Sequence, residues 1–493
     1  MVFVTATAGV SAEPGVVDGY EPDDEFGFEG ELTDEELDAV VSRAMARVEE
    51  IRGREFEARP SVERIDRNDN GGGNGNDTGP LDANVTRNEH GDWNDIVWEA
   101  LLIVGHDEYA NDVIAETFGG ATQGFYQPGN TTNSTGGGHR DGGSITVVGG
   151  VNEATLAHEL VHVLQDQHYN LSADRFSPPV QDEQLASDGI VEGEAQYIRQ
   201  VYQQRCRTDW ECYAGDGGGG GGGGGTGTGD EDRNFGVLMT VYQPYSDGAG
   251  YVHRLRQRGG WEAVDEAYDD VPTTTREIIR YEEFDAVEVT YEDESRGNWS
   301  TFGDNIGRNG YDTAGEASVF VTFWYQSSTA GYGLDVIETR GFFSPDGEYD
   351  VYSYRSDVSE GWAGDRIYPY RNNATNETGF VWKSAWDTSD DAEEFASAYL
   401  EILDGHGATE ADNATRRVEG EFRGAYRVAR DGRNVTIVRA PNVEGLDGIR
   451  PSLADARSPV NQPIDARPGE PTPGFTVVAG LVALVAGALL FRS

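Results

Sequence analysis

The sequence predicts an α+β protein with two domains and appendages at both ends, and three observations carry that expectation. At 493 residues the chain is long enough to bury more than one core. Its first half holds segments with apolar residues every three or four positions, the period of an amphipathic helix. From about Asp285 the pattern turns to short β-rich runs interleaved with helices, and Asp431-Gly432 marks a hairpin turn between two alternating strands. The expected organisation is a lead-in over 1–31, a first domain over 32–284 with Gly-rich insertions, and a second α+β domain over 285–450. A Pro-rich linker over 451–473 and an apolar segment over 474–493 complete the chain.

Residues 13–31 are acidic and Gly-containing and read as a flexible lead-in. "LTDEELDAVVSRAMARVEEIRG" follows, with Thr33 and Glu36 in a capping-box pattern and a buried stripe through Leu37, Val40, Val41, Ala44 and Val48. Residues 68–80 form a Gly/Asn insertion, and Trp93–Leu102 and Tyr109–Phe118 read as helices with His106 between them. "GFYQP" (124–128) and "SITVV" (144–148) flank a Gly/Asn/Thr loop, and the tracts Gly136–Gly138 and Gly217–Gly225 are surface loops. "DEQLASDGIVEGEAQYIRQVYQQR" (182–205) is helical, as is "DDAEEFASAYLEILDGHG", with Gly405 just past its end.

Charge excludes one class of partner. There are 88 acidic residues against 37 basic, a net charge of -51, and Lys383 is the only lysine. Nucleic-acid phosphates would be repelled by such a surface. An aromatic content of 10% argues for a packed core rather than disorder. In molar salt the Debye length falls to about 3 Å, self-repulsion is screened and carboxylates keep the surface hydrated. The composition resembles that of halophilic archaeal proteins.

Several features point to export. Asn76, Asn84, Asn130, Asn133, Asn170, Asn298, Asn373, Asn376, Asn413 and Asn434 each begin an N-x-S/T acceptor sequence, as in a glycoprotein. Cys206 and Cys212 are near enough in sequence for a local disulfide, though one pair does not fix the redox compartment. "MVFVTATAGVSAEP" is similar to the end of a signal peptide, without a basic n-region. The run Phe475–Phe491 carries no charge and is closed by Arg492, as expected of a short membrane-crossing helix. Pro473-Gly474-Phe475 before it resembles the PGF-CTERM sorting signal of haloarchaeal surface proteins. That resemblance implies an archaeosortase-type processing enzyme, a lipid in place of the apolar tail, and a cell-surface location.

"TLAHELVHVLQDQH" (155–168) carries the chemistry. Asn152 is placed to cap the helix, and Leu156, Leu160 and Leu164 form its apolar stripe. His158 and His162 project from a neighbouring face one turn apart, where two ring nitrogens can meet one Zn²⁺ at about 2.0–2.1 Å. Glu159 sits beside the metal as general base towards a zinc-bound water. The bland alternative is a polar helix face with two solvated histidines.

With "VEGEA" inside the helix 182–205, the HExxH pattern resembles the gluzincin superfamily of zinc metallopeptidases. The resemblance implies a peptidase domain in which Glu192 is the third zinc ligand and Gly193 lets the two helices approach closely. Glu194 is the alternative, about 200° away around the helix. Two departures stand out: the gap from His162 to Glu192 is long, and Gln196 holds the place of an aspartate that orients a histidine ligand. The family also implies a sheet-edge strand that binds extended peptide; Ser144–Val148 is placed for that role, and its sequence fits an interior strand equally well. Tyr245, Tyr251 and His253 are candidate oxyanion donors. The stretch from Tyr242 through the Thr-rich turn is similar to gluzincin-like proteins with a His-Pro pair, where this chain has Arg280-Tyr281. The expected function is a cell-surface zinc peptidase acting on a peptide or protein substrate. The alternative is a non-catalytic surface protein that keeps a structural or relic zinc site.

Overall fold

Thr33 accepts the Glu36 N–H at 3.3 Å while the Glu36 carboxylate receives the Thr33 N–H at 2.8 Å, so the first helix starts where its capping box predicts. The computed structural model describes residues 15–28, 30–65, 88–118, 124–129, 142–213, 233–328, 334–345, 347–412, 414–456 and 459. In chain order the elements are α1 (Asp34–Arg52), β1 (Ser61–Ile65), α2 (Glu89–Ala100), α3 (Ala110–Phe118), β2 (Gly124–Gln127), β3 (Ser144–Val148), α4 (Glu153–Tyr169) and α5 (Gln181–Thr208). Then come α6 (Phe235–Asp269), α7 (Thr275–Arg280), β4 (Trp299–Thr301), α8 (Gly315–Ser328), β5 (Trp362–Asn372), β6 (Thr378–Trp386) and α9 (Ser389–Gly405). The last are β7 (Thr409–Asp412), β8 (Thr415–Val418), β9 (Gly424–Asp431), β10 (Asn434–Ala440) and α10 (Val443–Ile449). The architecture is α+β.

The signal-like N-terminus, the 68–80 insertion, the glycine tracts and the apolar C-terminal segment with its Pro473-Gly474-Phe475 lie outside the described residues. Among the described residues no helix is long and apolar enough to cross a membrane.

The chain divides into two units. One comprises Met1–Gly72, Gln123–Leu171 and Glu194–Gly221; the other comprises Gly73–Thr122, Ser172–Gly193 and Gly222–Ser493. The division passes through α5, between Gly193 and Glu194, so that single continuous helix carries residues of both.

The first unit contains a three-stranded sheet in the order β1-β3-β2. β1 runs parallel to β3, with Ser61 opposite Ser144, and β2 runs antiparallel to it, with Tyr126 opposite Ile145. Ser144–Val148 is therefore an interior strand, one of the two roles the sequence leaves open for it, and not the peptide-binding edge. The segment "SVERI" covers its other side, and β2 is the edge strand that packs on α4. Helix α1 packs across α4.

Two buried arginines of α1 organise this unit. Arg43 and Arg47 both bond the Glu153 carboxylate in the first turn of α4, Arg47 at 3.2 Å. Their remaining donors reach back to the lead-in: Arg43 Nη1 donates to the Asp24 carbonyl and Arg47 Nε to the Pro22 carbonyl, both at 2.8 Å. Residues 15–28, read from their acidity as flexible, are thus tied down through their backbone carbonyls. Arg47 also lies over the Trp210 ring at 4.7 Å and donates to the Glu211 carbonyl at 3.0 Å, beside the Cys206–Cys212 disulfide.

The second unit is built on a seven-stranded antiparallel sheet, ordered β4-β5-β6-β10-β9-β8-β7. Trp362, Trp382 and Trp386 pack with Phe395 and Tyr399 of α9 in its core. Asp365, buried in β5, accepts the indole N–H groups of Trp362 (3.0 Å) and Trp382 (2.9 Å) and the Ala314 and Gly315 N–H groups at the start of α8. The β9–β10 hairpin closes one residue later than expected: Asp431 still pairs with Asn434, and Gly432-Arg433 makes the turn. Gly405 is the last residue of α9 rather than the one after it. The outer strand β4 has three residues, and β7, "TEAD", is exposed along its whole length.

Replacing Glu153 by Ala would leave two guanidinium groups buried without their carboxylate. The expected cost is about 3–5 kcal/mol of stability, read as a lowered denaturant midpoint in equilibrium unfolding.

Candidate metal centre

Helix α4 is held at both ends. Asn152 Oδ1 accepts the Ala154 and Thr155 N–H groups at 2.9 and 3.2 Å, and Asn170 ends the helix in the left-handed conformation with φ 57°. Leu156, Leu160 and Leu164 are buried as their spacing predicts, and so is the polar face: His158, Glu159 and His162 are 1%, 4% and 3% exposed. Solvated histidines are excluded by those values. Buried imidazoles need partners.

The two rings stand almost perpendicular, at 86°, with their Nε2 atoms 3.2 Å apart. His162 Nδ1 lies 2.8 Å from Gln165 Oε1, an acceptor, so the proton sits on Nδ1 and Nε2 presents a lone pair. Gln165 Nε2 in turn donates to Glu194 Oε2 at 3.0 Å, and Arg52 Nε donates to the other oxygen of Glu194. Arg52 and Arg54 both reach the Tyr169 hydroxyl, at 2.8 and 3.0 Å. All three of Gln165, Glu194 and Arg52 are buried.

Glu192, 3% exposed, completes a group with His158 and His162 in which one ligand atom from each lies within 4.8 Å of the others. Tetrahedral zinc with bonds of about 2.0–2.1 Å separates neighbouring ligand atoms by about 3.3 Å, close to the spacing of the imidazole nitrogens. Two imidazoles and one carboxylate are also the donor set of a catalytic zinc with one open position. The residues fit the ion. Glu194, the alternative ligand, is engaged by Arg52 and Gln165 instead. A second cluster, Glu153 with Cys206 and Cys212, offers no thiolates because the two sulfurs are bonded to each other.

Two expectations about α5 change. Gly193 does permit a close helix approach, but to α6: a Cβ there would come 2.4 Å from the Gly248 carbonyl carbon. Gln196 receives Arg199 Nη1 at 3.0 Å, and the amide that orients His162 is Gln165. Sequence reading missed Gln165, although its place three residues after His162 on the same helix is a usable signal.

Glu159 lies against the edge strand. A Cβ on Gly124 would sit 3.5 Å from Glu159 Cγ and Oε1. Tyr126 of the same strand donates to Asp166 Oδ2 at 3.1 Å, and Asp166 Oδ1 accepts the Leu171 N–H at 3.0 Å, which fastens β2 to α4.

The three candidate oxyanion donors differ in setting. Tyr245 is buried and stacked on Tyr242, one turn before Gly248. Burial pushes the Tyr251 hydroxyl well above its usual range. His253 is on the surface side of α6, with Nε2 2.8 Å from Gln257; burial draws its imidazole below the ordinary value. His253 is not part of the ligand group around His158. Tyr281 donates to Asp350, whose carboxyl burial pushes up.

Residues 301–450 match a family model described as a domain of unknown function (DUF8575). No curated protein and no solved structure matches the chain. The matched stretch lies in the second unit and contains none of His158, Glu159, His162 and Glu192.

Gln165→Leu removes the acceptor of His162 while keeping side-chain volume. Zinc affinity is expected to fall about 10–100-fold, measured by competition with a chromogenic chelator, with the folded far-UV spectrum retained.

Proposed function

We propose that the chain is a zinc-dependent peptidase. The observation that carries the reading is the gathering of His158, His162 and Glu192, all buried, around one point beside Glu159. His158 and His162 would hold the ion through Nε2, and Glu192 through a carboxylate oxygen. When bound, zinc supplies Lewis acidity, polarising a peptide carbonyl and acidifying water.

The protein groups do the rest. Glu159 takes the proton of the attacking water and delivers it to the leaving amine. Gln165 keeps the His162 proton on Nδ1, and Glu194 with Arg52 keeps Gln165 in place. The outer edge of β2, with Gly124 next to Glu159, suits main-chain hydrogen bonds to an extended peptide. Export, cell-surface anchoring through 474–493 and processing by an archaeosortase-type enzyme belong to the same proposal and rest on sequence alone.

The test uses the protein folded in concentrated salt. About one zinc per chain is expected by elemental analysis, with peptide cleavage that a chelator abolishes and zinc restores. Glu159→Gln should lower cleavage by at least about 100-fold and leave the zinc content unchanged. A parent protein that binds zinc but cleaves no peptide in a broad library would turn the reading to the non-catalytic alternative.

A further inference from the structure

The asparagines of this chain are not scattered at random. Ten of its 23 begin N-x-S/T, whereas serine and threonine, 57 of 493 residues, would put about three there by chance. Among the described residues the side chains of Asn170, Asn298, Asn373, Asn376 and Asn434 are all exposed.

Three of them meet although one is more than 70 positions from the others. β4 pairs with β5, Trp299 opposite Asn372, and the Asn373 N–H donates to the Asn298 carbonyl at 2.8 Å. Asn298 therefore lies beside the turn that joins β5 to β6, where residues 373–377 are exposed without interruption. Asn376 closes that turn with φ 60°, its N–H donating to the Asn372 carbonyl at 2.8 Å. The three amides differ in one respect. Asn373 Nδ2 donates to Ser300 Oγ, the hydroxyl of the Asn298 sequon, at 3.0 Å. The amide nitrogens of Asn298 and Asn376 make no hydrogen bond to described residues, and both residues are exposed.

We infer that Asn298 and Asn376 carry N-linked saccharides, so that this end of the seven-stranded sheet is a glycan-bearing face. The donor is a saccharide linked through phosphate to a membrane lipid. Nδ2 bonds to C1 of the sugar as the C1–O bond to phosphate breaks; the phosphate leaves with the electron pair and the amide loses one proton. Asn373, whose amide is held by Ser300 and whose sequon abuts that of Asn376, stays unmodified.

The inference does not use the metal centre, and its failure would leave zinc binding and cleavage unaffected. It is tested on the full chain purified from cells that make it naturally, by mass spectrometry of the tryptic peptides 297–308 and 372–383. Saccharide mass on Asn298 and on Asn376 is expected, located by fragmentation. Thr378→Val should remove it from Asn376 alone, and Ser300→Ala from Asn298. Unmodified masses at both positions, or saccharide on Asn373 in place of Asn376, would overturn the assignment.

Discussion

The rotation of one helix about its axis depends on a buried carboxylate. Glu194 is gripped by the Arg52 guanidinium on one side and the Gln165 amide on the other, with all three out of water. An ionised carboxylate in such a place is tolerable only with that full set of donors. Once Glu194 is committed, α5 cannot turn, and the carboxylate two residues earlier is the one left to the imidazoles. The same amide that fixes Glu194 also sets the tautomer of His162. The placing of Glu192 beside the two imidazoles, the orientation of His162 and the helix packing thus share one hydrogen-bonded chain.

A wider pattern surrounds that chain. Acidic residues outnumber basic ones by more than two to one, and all but one of the basic residues are arginines; Arg43, Arg47 and Arg52 of a single helix are all buried. Arg43 and Arg47 share the Glu153 carboxylate of α4, and Arg52 pairs with Glu194 of α5. The planar guanidinium suits this use, since it offers five donors in fixed directions and satisfies carboxylates and carbonyl oxygens together. The acidity that governs the surface is balanced inside by a few well-placed cations.

The parts of this molecule legible in the sequence are the local ones. Thr33 with Glu36, Asn152 before α4 and the leucine stripe of α4 are read from neighbours within a few positions and fold as read, and the Asp431 hairpin forms with its turn one residue later. The meeting of His158 and His162 was legible because residues four apart on a helix share a face. What escaped was set by distant partners. β3 became interior because "SVERI", some 80 residues away, pairs beside it, and the lead-in is ordered because α1 arginines seek its carbonyls. Gly193 was recognised as a close-approach residue, but nothing local says which helix approaches. The preference for Glu192 over Glu194 rested on a family pattern alone, and the engagement of Glu194 by Arg52 is a long-range contact that no local signal announces.

The rims of the large sheet have a bearing on solution behaviour. A strand edge with free N–H and C=O groups invites another chain to add to it. Here one rim ends in a three-residue strand and the other in the acidic, wholly exposed "TEAD". In brine, ionic screening confines charge repulsion to about 3 Å, and like-charged molecules no longer hold each other apart. Neither outermost strand is long or apolar, so neither offers an added chain a ready template when charge repulsion is screened.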